Sequence, residues 1–183
     1  EKHFHQLFTA SRLPIAIYDL SQVLAYLDSL TPGNGMGRAR FVGSRPDLSG
    51  QVLQKLKPLM RNGALEQHLA SQAISDDECL LDHLSVRSIE AFVEAVSVLR
   101  DNKFSDSECH ISLDFDTATH QYHLAVIPLA GHETSLDRVL LIFTPISVTR
   151  LQRTARNDSI ESIKNRLYAD AKKSDAIIVF DGD

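Results

Sequence analysis

The sequence predicts an α+β domain in which helices cover one face of an antiparallel sheet, followed by a C-terminal exit helix. Apolar residues recur at helical spacing over Ser85–Lys103, the clearest helical pattern in the chain. Strand-like runs follow over Cys109–Phe115, Tyr122–Leu129 and Arg138–Val148, joined by polar connections. Strands connected in this way form a meander that buries one face and leaves room for helices on it. From Leu151 to Lys173 the pattern is again helical but strongly charged.

The first half of the chain adds shorter elements. Phe4, Leu7 and Phe8 predict a short amphipathic helix that stops near Ser11, and Ile15–Leu20 is a β-prone run. The other predicted elements are a helix capped by Ser21 with Val23, Leu24, Leu27 and Leu30 on one face, a helix over Asp47–Lys57 that Pro58 ends or kinks, a short strand over Leu59–Asn62, a helix through Ala64, Leu65 and Leu69, and a short helix or turn over Cys79–Leu84.

The stretch Thr31–Gly37 is rich in glycine and also contains a proline, which is typical of a loop. A phosphate-binding cradle is the functional alternative. It would need a Gly-Lys-Ser/Thr ending and a helix that aims its first amides at the phosphate. The sequence has no such ending, and nothing after Gly37 opens as a clear helix, so we interpret the stretch as a connecting loop.

The charge balance excludes a dedicated nucleic-acid binder, because the net charge is −5 and phosphate contacts need clustered basic residues. Arg150, Arg153 and Arg156 lie along a helix that also carries acids, which favours a solvated face. Two cysteines, Cys79 and Cys109, are too few for a disulfide scaffold and indicate reduced thiols in a cytoplasmic protein. No apolar run reaches the roughly 20 residues of a membrane helix, so we expect no membrane contact by this piece.

With its elements in place, the chain resembles a PAS domain, a sensory module of bacterial signalling proteins, and most closely a subgroup with a helical insertion after its first strand. The stretches that carry the resemblance are Leu13–Leu20 with the helix over Val23–Leu30, Ser88–Ala95, and Pro128–Glu133 leading through Arg138–Phe143. The resemblance covers roughly residues 3–150. It implies a five-stranded antiparallel sheet with helices over one face, a role in sensing or dimerisation, and an output domain beyond the C-terminus.

The resemblance also implies a domain layout. Residues 1–150 form the PAS-like sensory domain, residues 151–174 form a signalling linker helix, and residues 175–183 begin a following domain. The run Ser174–Gly182 looks like the opening of a second PAS domain. PAS domains usually end their last strand with Asp-Ile-Thr, which ties the exit helix to the sheet, whereas this chain has Ser147 and Thr149 around Val148. Because serine carries no charge, we expect weaker signal coupling there.

Several residues invite chemical hypotheses. The strand region carries His110, His120, His123 and His132 beside Glu133, but His120 and His123 are three apart on a strand and point to opposite faces, so we predict no metal site. His83 lies near the position where haem-binding PAS domains place an axial ligand, although a histidine satisfied beside Asp82 is the simpler interpretation. The surroundings of Cys79 and Cys109 do not resemble the Asn-Cys-Arg-Phe motif of the light-sensing flavin subclass. No Gly-x-Ser-x-Gly nucleophile motif occurs.

The sequence therefore predicts a non-catalytic input domain of a cytoplasmic bacterial signalling protein, with a histidine kinase or a cyclic-dinucleotide synthase or phosphodiesterase as output. A thin apolar stripe on Leu151–Lys173 favours pairing with a second copy, so we expect a homodimer formed through the N-terminal helix, the exit helix or both. No cofactor is predicted, and a small-molecule ligand is left open. The candidate cleft is lined by Leu59, Phe92, Val96, Leu124, Val126 and Leu141. Two alternatives stay open: a ligand-free interaction module, and a small metal-dependent enzyme that uses the strand-region histidines.

Overall fold

The structure is a computed structural model that describes residues 2–31, 37–72, 74, 79–101, 106–115, 118–129, 137–146 and 165. The strands are β1 (Ile15–Asp19), β2 (Lys57–Arg61), β3 (Ser107–Asp114), β4 (Thr119–Pro128) and β5 (Arg138–Pro145). The helices are α1 (Lys2–Ala10), α2 (Ser21–Ser29), α3 (Arg38–Gly43), α4 (Pro46–Gln54), α5 (Gly63–Ser71) and α6 (Val86–Asp101), with a 3₁₀ helix over Leu80–His83. Among the described residues the strands form one antiparallel sheet in the order β2-β1-β5-β4-β3, which confirms the predicted α+β architecture.

The inner face of the sheet is covered by α6 and the shorter helices. As predicted, Ser85 caps α6, since its side chain accepts a hydrogen bond from the Ser88 amide at 3.3 Å. In β3 the residues Ile111 and Leu113 are buried while His110 and Asp114 are exposed, which confirms the predicted alternation. The inward side chains of the sheet and the apolar face of α6 form one buried group, which we call the inner cluster.

Three helices, α2, α3 and α4, lie between β1 and β2, as the predicted helical insertion requires. Two sequence-based expectations are corrected here. Ser21 is the first helical residue of α2 rather than its cap, and its amide donates to the Asp19 carboxylate at 2.8 Å instead. A helix, α3, does open directly after Gly37. Its six residues are too few to show a helical period, which is why the pattern missed it.

Both α4 and β2 begin earlier than predicted. Pro46 is in the first turn of α4, where a missing amide hydrogen costs nothing, and the helix ends at Gln54. Lys57 and Pro58 therefore belong to β2 and pair with β1 rather than ending the helix. Proline is accepted in this strand because β2 is an edge of the described sheet, so one side of its backbone needs no partner.

The opposite face of the sheet carries α1. Phe4 and Phe8 are buried against Ile15 and Ile17 of β1 and against outward residues of β4 and β5, a group that we call the back cluster. Among the described residues, the predicted helices over one face are thus joined by one helix, α1, on the other. Helical periodicity shows which residues of a helix are buried but does not show which side of a sheet buries them.

Several predictions fall outside the described residues. These are most of the glycine-rich loop, the exit helix over Leu151–Lys173 apart from Asn165, and the start of a following domain at residues 175–183. Within the described part of the chain, no helix combines the length and the apolar character needed to cross a membrane.

Candidate functional site

Most of the predicted cleft residues come together in the inner cluster. Phe92 and Val96 of α6 face the sheet, where Val126 of β4 lies directly opposite Leu141 of β5. Leu124 belongs to the same group, and all of these side chains are almost fully buried. The sequence therefore indicated which helix and which strands meet at the inner face of the sheet.

Leu59 lies elsewhere, packed against the back cluster. Tyr18 pairs with Pro58 and Ile17 pairs with Met60, so Leu59 is an extra residue in β2. An inserted residue of this kind is a β-bulge, which shifts the facing of the side chains that follow it. The bulge separates Leu59 from the other predicted cleft residues.

The central strand, β5, borders both clusters. It pairs with β1 on one side and with β4 on the other. Its inward residues Leu141 and Phe143 join the inner cluster, while its outward residues Leu140 and Ile142 join the back cluster that holds α1. A displacement on either face of the sheet therefore acts on the same strand. The predicted coupling residues, Ser147 and Thr149, follow β5 in sequence and lie outside the described residues.

Asn62, directly after β2, connects α1, β1 and α5 through its side chain, and sequence reasoning missed it. Its Oδ1 accepts hydrogen bonds from the amides of Ile15 and Leu65, both at 3.0 Å. Its Nδ2 donates to the carbonyl of Leu13 at 2.9 Å and to that of Phe8 at 3.2 Å. The position between a strand and a helix predicts the capping bond to Leu65, because asparagine favours helix N-caps. The bonds to α1 and β1 span about fifty residues of sequence and give no local signal.

Two hydrogen-bonded polar pairs link helical segments to the inner face of the sheet. Tyr18 of β1 hydrogen-bonds Cys79 at 2.7 Å between its hydroxyl and the thiol sulfur, and Tyr122 of β4 hydrogen-bonds His68 of α5. Burial, aided by Cys79, raises the pKa of Tyr18 well above its usual value. Burial lowers the pKa of His68, with a smaller contribution from the charge of a neighbouring histidine. Both pairs are therefore neutral hydrogen-bonded contacts near pH 7, holding helical segments to the sheet.

Neither cysteine is prepared for thiolate chemistry. Burial raises the pKa of the Cys109 thiol to about 12. Burial also raises the pKa of Cys79, although its hydrogen bond with Tyr18 acts in the opposite direction. Reactive cysteines have lowered pKa values and electropositive surroundings. Both thiols therefore resemble structural side chains.

The strand histidines separate onto the two faces of the sheet, as predicted. His110 and His123 are cross-strand partners on the outward face, with ring centroids 5.2 Å apart, and Nε2 of His123 lies 3.0 Å from a Glu108 carboxylate oxygen. His120 faces the other way and its ring contacts Phe115. His132 and Glu133 lie outside the described residues. Within the described ranges, no group of three or more potential metal-ligating side chains has an arrangement that could hold an ion.

His83 is half-buried at the end of the 3₁₀ helix. Its ring centroid lies 5.2 Å from that of Phe115, whose ring also contacts His120. The arrangement fits the interpretation of His83 as a packed side chain better than it fits a haem ligand.

A cavity of about 240 Å³ lies between α2, α3 and α6. Val96 is the one predicted cleft residue in its lining. Beside the cavity, the Asp28 carboxylate of α2 accepts hydrogen bonds from both terminal nitrogens of Arg100, and it lies 3.6 Å from a nitrogen of Arg38. The hydrogen bonds from Arg100 hold the pKa of the Asp28 carboxyl below its usual value. The insertion thus adds a charged, partly open recess beside α6.

Comparisons with known structures show the fold. The chain superposes on the LOV protein of Rhodobacter sphaeroides with a TM-score of 0.58 and 10% identity, over 96% of this chain and 82% of that chain. The d2 variant of the same LOV protein gives the same values. The PAS domain of BvgS from Bordetella pertussis aligns over 90% of this chain and 96% of that chain at 12% identity, but its TM-score of 0.36 is too low to add support. No family model and no curated protein sequence matches the chain. Since LOV domains are a PAS subfamily, these superpositions show that the chain has a PAS-like fold.

Proposed function

We propose that this chain is a sensory and dimerisation input domain of a multidomain bacterial signal-transduction protein. The observation that carries the proposal is the position of β5 at the centre of a PAS-like sheet. Because β5 contributes side chains to both clusters, a change on the inner face is passed to the back face, and the reverse also holds. The strand is the last described element before the predicted exit helix.

In this proposal a displacement of β5 passes through Ser147 and Thr149 to the helix predicted over Leu151–Lys173. A ligand can shift such a two-state equilibrium only by its differential affinity for the two states, and a few kcal/mol is sufficient. The repacking of one or two core side chains involves a free energy of that size. The uncharged Ser147 makes a weaker tie between sheet and helix than the aspartate usual at this position.

The domain regulates rather than catalyses, and we place it in a cytoplasmic protein that acts as a homodimer. The output domain follows in the same chain and is a histidine kinase or a cyclic-dinucleotide synthase or phosphodiesterase. Dimer contacts are assigned to α1, to the exit helix or to both. The raised thiol pKa of Cys109 and that of Cys79 support a role without covalent chemistry.

A ligand-free interaction module is the second candidate function. It is favoured by the burial of Phe92, Leu124, Val126 and Leu141, which are at most 1% exposed and already pack against one another. A sheet face filled by its own side chains can still transmit strain between partners, because close-packed interiors resist deformation.

Mass spectrometry of the 183-residue chain under non-denaturing conditions separates the two functions. A sensor retains a small molecule that is lost on denaturation, and adding it back changes hydrogen exchange over residues 147–173. Ser147→Asp is expected to enlarge that change and Ser147→Ala to reduce it, so the two variants are matched controls for coupling. A purified chain that retains no molecule and dimerises normally would support the interaction module instead.

A further inference from the structure

The cavity between α2, α3 and α6 adjoins the buried face of α6, since Val96, Leu27 and Ala39 belong both to its lining and to the inner cluster. Its floor is apolar and its rim is charged. The apolar side chains that line it are Leu24, Leu27, Ala39 and Val96, and the polar lining consists of Arg38, Glu94, Ser97 and Arg100 with Gly37. Its volume of about 240 Å³ corresponds to about eight water molecules at their liquid volume. A ligand that fills it would therefore have about eight non-hydrogen atoms.

The two arginines of the lining, Arg38 and Arg100, interact differently with Asp28. Arg100 donates hydrogen bonds to Asp28 from both terminal nitrogens, one of them at 2.8 Å, and these bonds fix its guanidinium group at the rim. Nη1 of Arg38 lies 3.6 Å from Asp28, too far for a hydrogen bond, although the two charges attract. Asp28 therefore holds Arg38 near the cavity without using its hydrogen-bond donors. A guanidinium group held in this way suits a carboxylate, which it can bind with two parallel bonds.

We infer that this cavity binds a small carboxylate with a short apolar chain, placing the carboxylate on Arg38 and the chain against Leu24, Leu27 and Ala39. Glu94 at the rim disfavours a second negative charge on the ligand, so a dicarboxylate is a poor fit. The carboxylate can belong to a simple fatty acid or to an amino acid, whose ammonium group would pair with Glu94. The inference rests on the proposed sensory function only for its effect on signalling.

The position of Val96 connects this site to the sheet. Val96 lines the cavity and is also 1% exposed within the inner cluster, next to residues of β4 and β5. A ligand that presses on this part of α6 therefore acts on the sheet through one side chain. Because Leu27 and Ala39 also belong to the inner cluster, binding in the cavity would act on the edge of that cluster.

Isothermal titration calorimetry of the whole chain with isocaproate tests the site. We expect one molecule bound per chain, and no measurable binding of the isosteric neutral amide, isocaproamide. Arg38→Gln should raise the dissociation constant at least tenfold, because a hydrogen bond to a charged group is lost. Arg40→Gln is the matched control, since Arg40 is an exposed arginine of the same helix that does not line the cavity. It should leave the dissociation constant unchanged.

Gly37→Leu provides a second variant that leaves folding intact. Gly37 has φ of −63° and ψ of 148°, which any residue adopts, and an added Cβ meets nothing within 4 Å. The new side chain should fill the cavity mouth and abolish isocaproate binding while circular dichroism stays unchanged. Titration with leucine distinguishes a fatty acid from an amino acid as the ligand. If leucine binds more tightly than isocaproate and Glu94→Gln weakens leucine binding, the ligand is an amino acid. If leucine binds more weakly than isocaproate, the ligand is a simple carboxylate.

The inference is overturned if isocaproate and leucine both fail to bind, if isocaproamide binds equally well, or if Arg38→Gln has no effect. A different molecule retained in native mass spectrometry would overturn this site while leaving the sensory function in place. Isocaproate binding with no change in hydrogen exchange over residues 147–173 would establish the site and count against signalling through it.

Discussion

Replacing Asn62 with alanine tests the role assigned to the junction of α1, β1 and α5. The side chain is 1% exposed and has four close backbone partners, so its removal leaves buried polar groups without their bonds. The amide of Leu65 keeps a second acceptor, the Asn62 carbonyl at 3.0 Å, and loses little. The amide of Ile15 and the carbonyls of Leu13 and Phe8 lose the Asn62 side-chain bonds described above.

Each of these three bonds contributes about 1 kcal/mol net, and more where a buried group stays unsatisfied. The expected cost of Asn62→Ala is therefore about 3 kcal/mol from these three bonds, and the loss of the helix cap adds to it. A domain of this size has a free energy of unfolding of about 5–15 kcal/mol, so the change is large but leaves the chain folded. Urea denaturation followed by circular dichroism measures it directly.

Asn62→Ser is the matched control because serine keeps the cap of α5 but is too short to reach α1. It should cost clearly more than the roughly 1 kcal/mol of a lost cap, since the long-range bonds are gone in both variants. Hydrogen exchange in α1 should rise in both variants, because the bond to the Phe8 carbonyl is broken. If Asn62→Ala costs less than about 1 kcal/mol and α1 exchanges as before, Asn62 is a cap and nothing more.

Three further predictions follow from single positions. Gly43→Ala places a Cβ 2.7 Å from that of Glu90, where α3 crosses α6, so it should destabilise the fold by about 1–3 kcal/mol. Gly50→Ala in α4 is the control, because its Cβ meets nothing within 4 Å and it should stabilise the fold by up to about 1 kcal/mol. Equal effects of the two substitutions in urea denaturation would contradict the close approach of α3 to α6. Burial lowers the pKa of His68, so below about pH 6.5 the unfolded chain binds more protons than the folded chain. The free energy of unfolding should therefore fall as the pH drops through that value, and His68→Gln should make this fall smaller. Denaturation at about pH 7.5 and about pH 5.5 measures both effects. Because burial raises the pKa of Cys109 to about 12, iodoacetamide should alkylate it at least roughly a hundredfold more slowly in the native chain than in urea, and similar rates would show that the thiol is accessible.

The fold is shared at 10% identity because the pattern of buried positions, rather than the residues themselves, defines it. In β3 the alternation of Ile111 and Leu113 with polar residues fixes one buried face whatever apolar residue is used. In α6 the helical period from Ile89 to Leu99 does the same. Such patterns explain why the architecture follows from the sequence while no family model matches it.

The candidate site was harder to predict than the fold. Phe92, Val96, Leu124, Val126 and Leu141 meet because each lies on the buried face of its own element. Leu59 does not join them, because a bulge in β2 turns it to the back cluster, and no local pattern marks that bulge. The charged rim of the α2–α3–α6 cavity also combines residues far apart in sequence, for instance Arg38 and Arg100.

The sequence alone determined the order of the helices and strands apart from α3, the buried face of β3 and the apolar face of α6. The spacing of apolar residues along the chain specifies these features. Tertiary structure alone decided the side of the sheet that α1 covers, the formation of α3 against α6, and the partners of Asn62. Each of these depends on a close fit between segments that are distant in sequence. Such a fit depends on register and packing in three dimensions, which periodicity within one segment does not encode.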